Sequence, residues 1–157
     1  MSRRAITWWT VRALLGWVVV LGPFAVTTLI LEYTGDAPEA SWWMRLTLAV
    51  LVLLAAGHVL VMPRWRYRVH RWETTNQAVY TLSGWLSREW RVAPISRIQT
   101  VDTEQGPLQQ LFGLTTVTVT TASAAGPLRI AGLERQAAQQ LVDDLTVITQ
   151  ATKGDAT

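Results

Sequence analysis

The side chains of this sequence that could do chemistry are few, and none has the neighbours that catalysis or metal binding requires. His70 stands among arginines, with no second ligand at metal spacing. Ser87, Ser96 and Ser123 lack the strand-to-helix context of a nucleophile elbow. No phosphate-binding glycine loop is present, and the absence of cysteine excludes thiolate chemistry. We therefore predict no catalytic residue, no metal ligand and no cofactor.

Two polar stripes need a separate interpretation. Asp102 and Glu104 share one face of a predicted strand and could imitate a catalytic carboxylate pair. Charged side chains on a strand surface are ordinarily solvated, and we interpret these two in that way. Thr116, Thr118 and Thr120 alternate with valines, and we expect them to form a solvent face that β propensity favours.

Arginine is the residue type whose placement suggests an interaction. Each basic side chain near an anionic lipid surface contributes about 1 kcal/mol of attraction, although arginines beside a span also fix membrane topology. The candidate lipid- or partner-contacting residues are Arg64, Arg66, Arg68, Arg71, Arg88, Arg91 and Arg97. Because exposed aromatic residues are not clearly interleaved with basic ones, we do not expect nucleic acid as a partner.

Two long apolar runs predict membrane-spanning helices. Half of the 157 residues are hydrophobic and 16% are charged, and the charge deficit lies almost wholly in these runs. Ala13–Leu31 has no charged residue and measures roughly 28 Å as a helix, close to the thickness of the hydrocarbon core. Leu46–Met62 is shorter, but a flanking arginine can extend towards the interface.

The distribution of charge predicts the orientation of this hairpin. Basic residues precede the first span and follow the second, whereas the connecting loop is acidic except at its far edge. The residues before the first span are Arg3, Arg4 and Arg12, and those after the second are Arg64, Arg66, Arg68 and Arg71. The loop contains Glu32, Asp36 and Glu39, with Arg45 at its far edge. We therefore predict a multi-pass protein of the plasma membrane with both termini cytoplasmic. A cleaved signal peptide is not expected, because the first run is too long and residues 36–40 offer no cleavage pattern.

Residues inside the spans leave one question open. Gly22-Pro23 should kink the first span, because proline removes a backbone donor. His58 is the one ionisable residue within a span, and we interpret it as packing near the interface, since no second intramembrane acid or base is available for a proton relay. Whether His58 or the kink has a function is not decided by the sequence.

A β-rich domain is predicted after the membrane hairpin. Trp65, Tyr67 and Val69 alternate with basic residues, which predicts a first strand. Turn signals then separate further segments: strands at residues 78–83, from Trp90 and Val92 to Pro94, and at 98–104, 114–121 and 128–131, with one helical turn at 108–112 ended by Gly113.

An amphipathic helix is predicted over Glu134–Thr149, since Ala138, Leu141, Leu145 and Ile148 recur at helical spacing. We expect it to cap the sheet, with a shared core that contains Trp90, Val92, Val117, Val119, Leu141 and Leu145. The domain organisation is then a hairpin over residues 1–62 with spans 13–31 and 46–62, a cytoplasmic domain over 63–150, and a disordered tail over 151–157.

Residues 91–133 carry motifs of a known family. The motifs are Pro94, Arg97-Ile98-Gln99, Gly106-Pro107-Leu108 and Phe112-Gly113-Leu114, preceded by Ser83-Gly84-Trp85-Leu86. The segment resembles the bacterial PH-like domain of small membrane proteins of the YdbS type, and the two preceding spans match the layout of that family. The resemblance implies an α+β membrane protein, in which two transmembrane helices precede a PH-like antiparallel sheet or barrel capped by a C-terminal helix. It implies no reaction and no ligand.

The hypothesis that follows is a non-catalytic interaction or assembly module held at the cytoplasmic face of the membrane. Its expected partners are further copies of itself or other membrane proteins. The alternatives are a sensor of anionic lipid headgroups and an accessory subunit of a transport or export complex.

Overall fold

The computed structural model describes residues 2–35, 38–123 and 126–154. Its elements in chain order are α1 (Arg4–Thr34), α2 (Pro38–Val69), β1 (Arg71–Thr74), β2 (Ala78–Gly84), β3 (Arg88–Pro94), a 3-10 turn (Ile95–Arg97), β4 (Ile98–Glu104), α3 (Pro107–Phe112), β5 (Leu114–Thr121), β6 (Leu128–Glu134) and α4 (Arg135–Gly154). Two compact units are present, a helical hairpin of residues 9–64 and a domain built from residues 2–8 and 65–154.

The hairpin consists of two helices that are long and apolar enough to cross a membrane. Their side chains are mostly open to the surroundings, as Val19 and Leu53 illustrate at 73% and 72% exposure. Helices of this composition satisfy their backbone hydrogen bonds internally, so a hydrocarbon environment suits them. Helix α1 continues without interruption through Pro23, whose carbonyl oxygen accepts a hydrogen bond of 2.9 Å from the Thr27 hydroxyl.

At the loop end of the hairpin, charged and aromatic side chains connect the two helices. The Arg45 guanidinium forms an ion pair of 3.2 Å with Glu32 and lies 6.0 Å from the ring centre of Trp42. The ion pair connects the end of α1 to the first turns of α2. Of the other two acidic residues expected in this loop, Glu39 lies in the first turn of α2, and Asp36 lies outside the described residues.

Helix α2 extends well past the predicted end of the second span. It continues through Pro63 to Val69, so the strand predicted from Trp65, Tyr67 and Val69 is wrong. A helix that has already formed extends at little cost, because nucleation is the expensive step. The alternation of basic and aromatic residues was therefore not a strand signal, and only Val69 of these three side chains is buried. The first strand of the domain is instead the short β1.

The domain contains two antiparallel sheets of three strands each. We call the sheet with order β1-β2-β3 the open sheet and the sheet with order β4-β5-β6 the covered sheet. The predicted strands β4 and β5 have the observed bounds, and β2, β3 and β6 differ from prediction only at their ends. The buried core is shared by both sheets and α4: Val79, Ala93, Ile95, Ile98, Val117, Val119, Leu128, Ile130, Leu133, Ala138, Leu141 and Leu145.

Helix α4 caps the sheets as predicted. Ala138, Leu141 and Leu145 are buried in the core, and Ile148 packs against it. The helix begins one residue later than predicted and extends to Gly154, and residues 155–157 of the predicted tail lie outside the described residues.

The covered sheet has no solvent face along β5, and the expectation for its threonines is therefore wrong. Thr116 and Thr118 are buried and Thr120 is half-buried. Helix α3 packs on β5, and Gln109 on α3 donates a hydrogen bond of 2.8 Å from Nε2 to the Thr116 hydroxyl. Threonine suits such a position because its hydroxyl can be satisfied while its methyl group is buried.

The residues before the first span belong to the domain. The Ser2 hydroxyl donates a hydrogen bond of 2.8 Å to the Glu134 carboxylate at the end of β6. Ser2 and Ala5 are buried, and an Arg4 guanidinium nitrogen lies 3.6 Å from the position that a Cβ on Gly113 would occupy. The domain is thus assembled from both ends of the chain, which the sequence did not reveal.

Candidate functional site

The seven candidate arginines are distributed over four elements. Three of them lie on the last turns of α2, one on β1, two on β3 and one in the 3-10 turn: Arg64, Arg66, Arg68; Arg71; Arg88, Arg91; Arg97. Residues two apart on a helix point in nearly opposite directions. The arginines of α2 therefore do not form one stripe along the helix.

Arg91 has a structural role. Its guanidinium lies 2.6 Å from the Glu89 carboxylate and donates a hydrogen bond of 2.9 Å to the backbone oxygen of Pro127. These contacts connect β3 to the turn before β6. Arg71, Arg88 and Arg97 are exposed, and none of them forms an ion pair with any residue that the structure describes.

The register of the open sheet brings aromatic and basic residues together. Across its three strands, Arg71 pairs with Leu82 and Leu82 with Trp90. In the next row on the same face, Glu73 pairs with Tyr80 and Tyr80 with Val92. Alternate residues of a strand share a face. We call the face formed by Arg71, Glu73, Tyr80, Leu82, Trp90 and Val92 the outer face.

The outer face is open to solvent, so the predicted burial of Trp90 and Val92 is wrong. Trp90 is 68% exposed, Val92 58% and Tyr80 44%. The opposite face of β3 turns inwards, because Ala93 packs in the core and Arg91 is fixed by its hydrogen bond to Pro127. The large apolar side chains of β3 are thereby directed outwards.

The outer face differs from the sequence-based premise that exposed aromatic residues are not clearly interleaved with basic ones, on which the expectation of no nucleic-acid partner was based. Trp90 and Tyr80 do lie on the same exposed strand surface as Arg71. A carboxylate, that of Glu73, occupies the same face. Apolar patches of this kind on a soluble surface mark protein or membrane contacts, and Trp, Tyr and Arg are the residue types enriched in the centres of protein interfaces.

The family motifs build the connections between the sheets. Pro94 ends β3 and precedes the 3-10 turn, Arg97 ends that turn, and Ile98 begins β4 with its side chain buried. Gln99 lies at the irregularity in the pairing of β4 with β5. The backbone carbonyl of Arg97 accepts a hydrogen bond of 3.2 Å from Ala122. These residues therefore have structural positions, and the side chains of Arg97 and Gln99 are exposed at the surface.

The remaining motif residues form both ends of α3. Gly106 precedes the helix, Pro107 occupies its first turn, and Phe112 is its last residue. Gly113 follows with a φ of 64°, a left-handed conformation that glycine adopts without strain. The prediction of one helical turn ended by Gly113 is confirmed.

His70 is buried between α2 and β1. Burial and the neighbouring Arg66 guanidinium lower the pKa of His70 to about 4. The imidazole is therefore neutral at physiological pH. Among the residues described, no three His, Asp or Glu side chains are grouped as a metal site.

The other polar candidates for chemistry either are exposed at the surface or form hydrogen bonds with one another. Asp102 and Glu104 are exposed, as interpreted from the sequence, and Asp102 accepts a hydrogen bond of 2.9 Å from Thr100. A recess of 410 Å³ beside the start of α4 is lined by both polar and apolar residues. Its Arg135 donates to the Gln105 amide oxygen, and the Gln105 amide nitrogen donates to Thr115, so these polar groups satisfy one another.

Within the hairpin, His58 has a partner that sequence reasoning missed. Trp17 Nε1 donates a hydrogen bond of 3.0 Å to His58 Nδ1, and the two rings meet edge-on with their centres 6.2 Å apart. Trp17 lies four residues inside the predicted start of the first span, and His58 four residues before the predicted end of the second. Trp17 and His58 lie at the same depth in two antiparallel helices, and this was the sequence signal that could have predicted their contact. The hydrogen bond links α1 to α2.

The comparisons with known proteins agree with this architecture. A family model described as a bacterial PH domain matches residues 10–146. The chain is 30% identical over 131 residues to the UPF0699 transmembrane protein YdbS of Bacillus subtilis strain 168, which covers 83% of this chain and 79% of that relative. No solved structure matches the chain. The family match begins within α1 and includes the whole of α2 and both sheets. The chain belongs to the bacterial PH domain family as a YdbS-like transmembrane protein.

Proposed function

We propose that this protein is a non-catalytic interaction module that assembles with itself or with other membrane proteins at the cytoplasmic face of the plasma membrane. The observation that carries the proposal is the outer face of the open sheet. Trp90, Val92 and Tyr80 stand exposed there, although the same domain has a complete core elsewhere. Leaving such side chains in water forgoes the free energy that their burial would supply, so a partner that covers them is favoured.

The orientation in the membrane is part of this proposal. Residues 2–8 pack in the same unit as the domain, with Ser2 bonded to Glu134. This supports an even number of membrane crossings between them. The basic residues on that side favour the cytoplasm. A reporter that is active only after export should be silent when fused to the C-terminus, and activity would contradict the orientation.

A sensor of anionic lipid is the second candidate, and a specific observation favours it. Arg88 lies two residues from Trp90 on the same side of β3, and Arg71 lies in the same cross-strand row as Trp90; both arginines are exposed. Tryptophan and arginine side chains are both favoured in the headgroup region of a membrane. Glu73 on the same face argues against a lipid sensor, because an anionic surface repels a carboxylate. A protein partner can supply Glu73 with an opposite charge and an anionic membrane cannot, so we favour the protein partner.

The test is site-specific photo-crosslinking of the full chain in native membranes. A photoreactive residue replaces Val92 on the outer face, and the matched control replaces Val147 on α4, a valine of similar exposure at 66%. We expect protein adducts from position 92 and few from position 147. Adducts to lipid alone from position 92 would favour the lipid sensor, and adducts to a transport protein would favour the accessory subunit. Equal yields from both positions would contradict the outer face as the interaction surface.

A further inference from the structure

The outer face has an order of residues that suits a particular partner. One row across the strands reads Arg71, Leu82, Trp90, and the adjacent row reads Glu73, Tyr80, Val92. The rows are two residues apart along each strand, which is roughly 7 Å. Each row therefore has a charge at β1, an apolar side chain at β2 and another at β3, with the sign of the charge reversed between the rows.

We propose that two copies of this chain pack outer face to outer face about a two-fold axis that crosses the strands between the two rows. This inference rests on the proposed assembly function and names its partner as a second copy. Such an axis exchanges the rows. It brings Arg71 opposite the partner's Glu73, Leu82 opposite the partner's Tyr80, and Trp90 opposite the partner's Val92. An interface of this type is isologous, so every contact occurs twice.

All three opposed pairs are chemically complementary. The pair at β1 joins a guanidinium to a carboxylate, and the pairs at β2 and β3 each place an aromatic ring against an aliphatic side chain. Sheets stack face to face at about 10 Å, a spacing that interdigitating side chains of this size fill. A two-fold axis parallel to the strands would instead place Arg71 opposite Trp90 and Glu73 opposite Val92. The Glu73 carboxylate would then face an apolar side chain, so the axis that crosses the strands fits these residues better.

The charges required for this contact are available. Arg71 and Glu73 are both exposed, and neither forms an ion pair within the part of the chain that the structure describes. They lie on the same strand at alternate positions, so they face the same way without meeting each other. A second copy supplies each of them with an opposite charge, whereas an anionic membrane supplies only Arg71.

The size of the outer face explains why this contact belongs in a membrane protein. A stable interface between soluble proteins buries roughly 800 Å² on each partner, and six side chains on a three-stranded sheet provide less than that. Two copies anchored in one membrane meet at a high effective concentration, so a small interface is sufficient. The hairpin thus supplies the proximity, and the outer face supplies the specificity.

Cysteine crosslinking in native membranes tests the arrangement, because the natural sequence has no cysteine. The full chain carries Leu82→Cys in one variant and Val147→Cys in a control, and each is treated with a bismaleimide that spans on the order of 10 Å, matched to the sheet spacing. We expect covalent dimers from position 82 and few from position 147. Equal dimer yields from the two positions would overturn the proposal.

Charge exchange in the Leu82→Cys background identifies the pairing. Arg71→Glu and Glu73→Arg each place like charges opposite each other twice, so each should lower the dimer yield by about tenfold. The double variant restores opposite charges and should return to within about twofold of the parent. It also controls for folding, since it contains both substitutions. Unchanged yields in the single variants, or no recovery in the double variant, would overturn the proposal.

The outcomes also separate this inference from the proposed function. Protein adducts from position 92 without dimers from position 82 would overturn the second copy as partner and leave the assembly function standing. Absence of both would overturn both. A fluorescent probe attached to the Leu82→Cys variant and quenched by nitroxide-labelled lipid, with no dimer formed, would also overturn the inference and assign the outer face to the bilayer.

Discussion

The covered sheet and the open sheet have the same number of strands and the same antiparallel pairing, yet their faces are used differently. Along β5, consecutive residues from Leu114 to Val119 are all buried. Along β3, Trp90 and Val92 are exposed while Ala93 is buried. The central strand of the covered sheet is buried on both faces, whereas the open sheet contributes one face to the core and exposes the other to solvent. Substitutions on the exposed face can therefore test the proposed interaction without disturbing the core.

The largest effect is expected where α4 closes on the covered sheet. Leu145 is fully buried there, and Leu145→Ala should destabilise the domain by about 2–5 kcal/mol, because the substitution removes apolar contacts and leaves a cavity. Amide hydrogen exchange of β5 in the full chain, in nanodiscs, measures the loss. A change below about 0.5 kcal/mol, the range of ordinary surface substitutions, would contradict the role of α4 as the cap.

An intermediate effect is expected at the margin of the open sheet, from the titration of His70. Its folded-state pKa of about 4 lies below the ordinary value of 6.5, so between these values the unfolded chain binds a proton that the folded domain excludes. Stability is therefore complete above pH 6.5 and falls as the pH decreases, by about 2 kcal/mol between pH 7 and pH 5.

The matched variant is His70→Gln, which removes the titrating group. Unfolding measured across the same pH range should lose most of its slope in this variant, whatever its stability at pH 7. A slope equal to that of the natural protein would show that other groups control the pH dependence.

The smallest effect on stability is expected on the outer face. Trp90→Thr replaces an exposed side chain by one that suits a strand, so the free energy of unfolding should change by less than about 0.5 kcal/mol. The same substitution should reduce protein adducts from position 92. A large loss of stability in the isolated membrane protein would mean that Trp90 belongs to the core after all, and the contrast between the two sheets would fail.

Much of the fold could be predicted because its signals are local. The alternation of valine and threonine in β5, the glycine and proline residues around α3, and the helical spacing of Leu141 and Leu145 each specify an element through nearby residues. The same local rule failed after Pro63, where alternating residues continue a helix. Periodicity describes a preference, and the helix that precedes the segment outweighs it.

The site was less accessible to prediction, because it depends on which face of a strand turns inwards. The sequence indicated the exposed arginines, but the apolar character of Trp90 and Val92 pointed to the wrong face of β3. The deciding contact is that of Arg91 with the backbone of Pro127, between residues distant in sequence. The burial of Thr118 was missed for a similar reason, since an alternating strand looks the same whether one face or both are covered.

The hydrogen bond between Ser2 and Glu134 has a consequence for the order in which the protein is made. The two residues are 132 positions apart, which at ~5–20 residues per second corresponds to roughly 7–26 s of synthesis. During that interval the two apolar helices are synthesised, while the first residues lack the surface on which they pack. In the proposed topology, failure of one of the two helices to cross would leave Ser2 and Glu134 on opposite sides of the bilayer. In that topology, completion of the domain therefore requires that both helices have crossed.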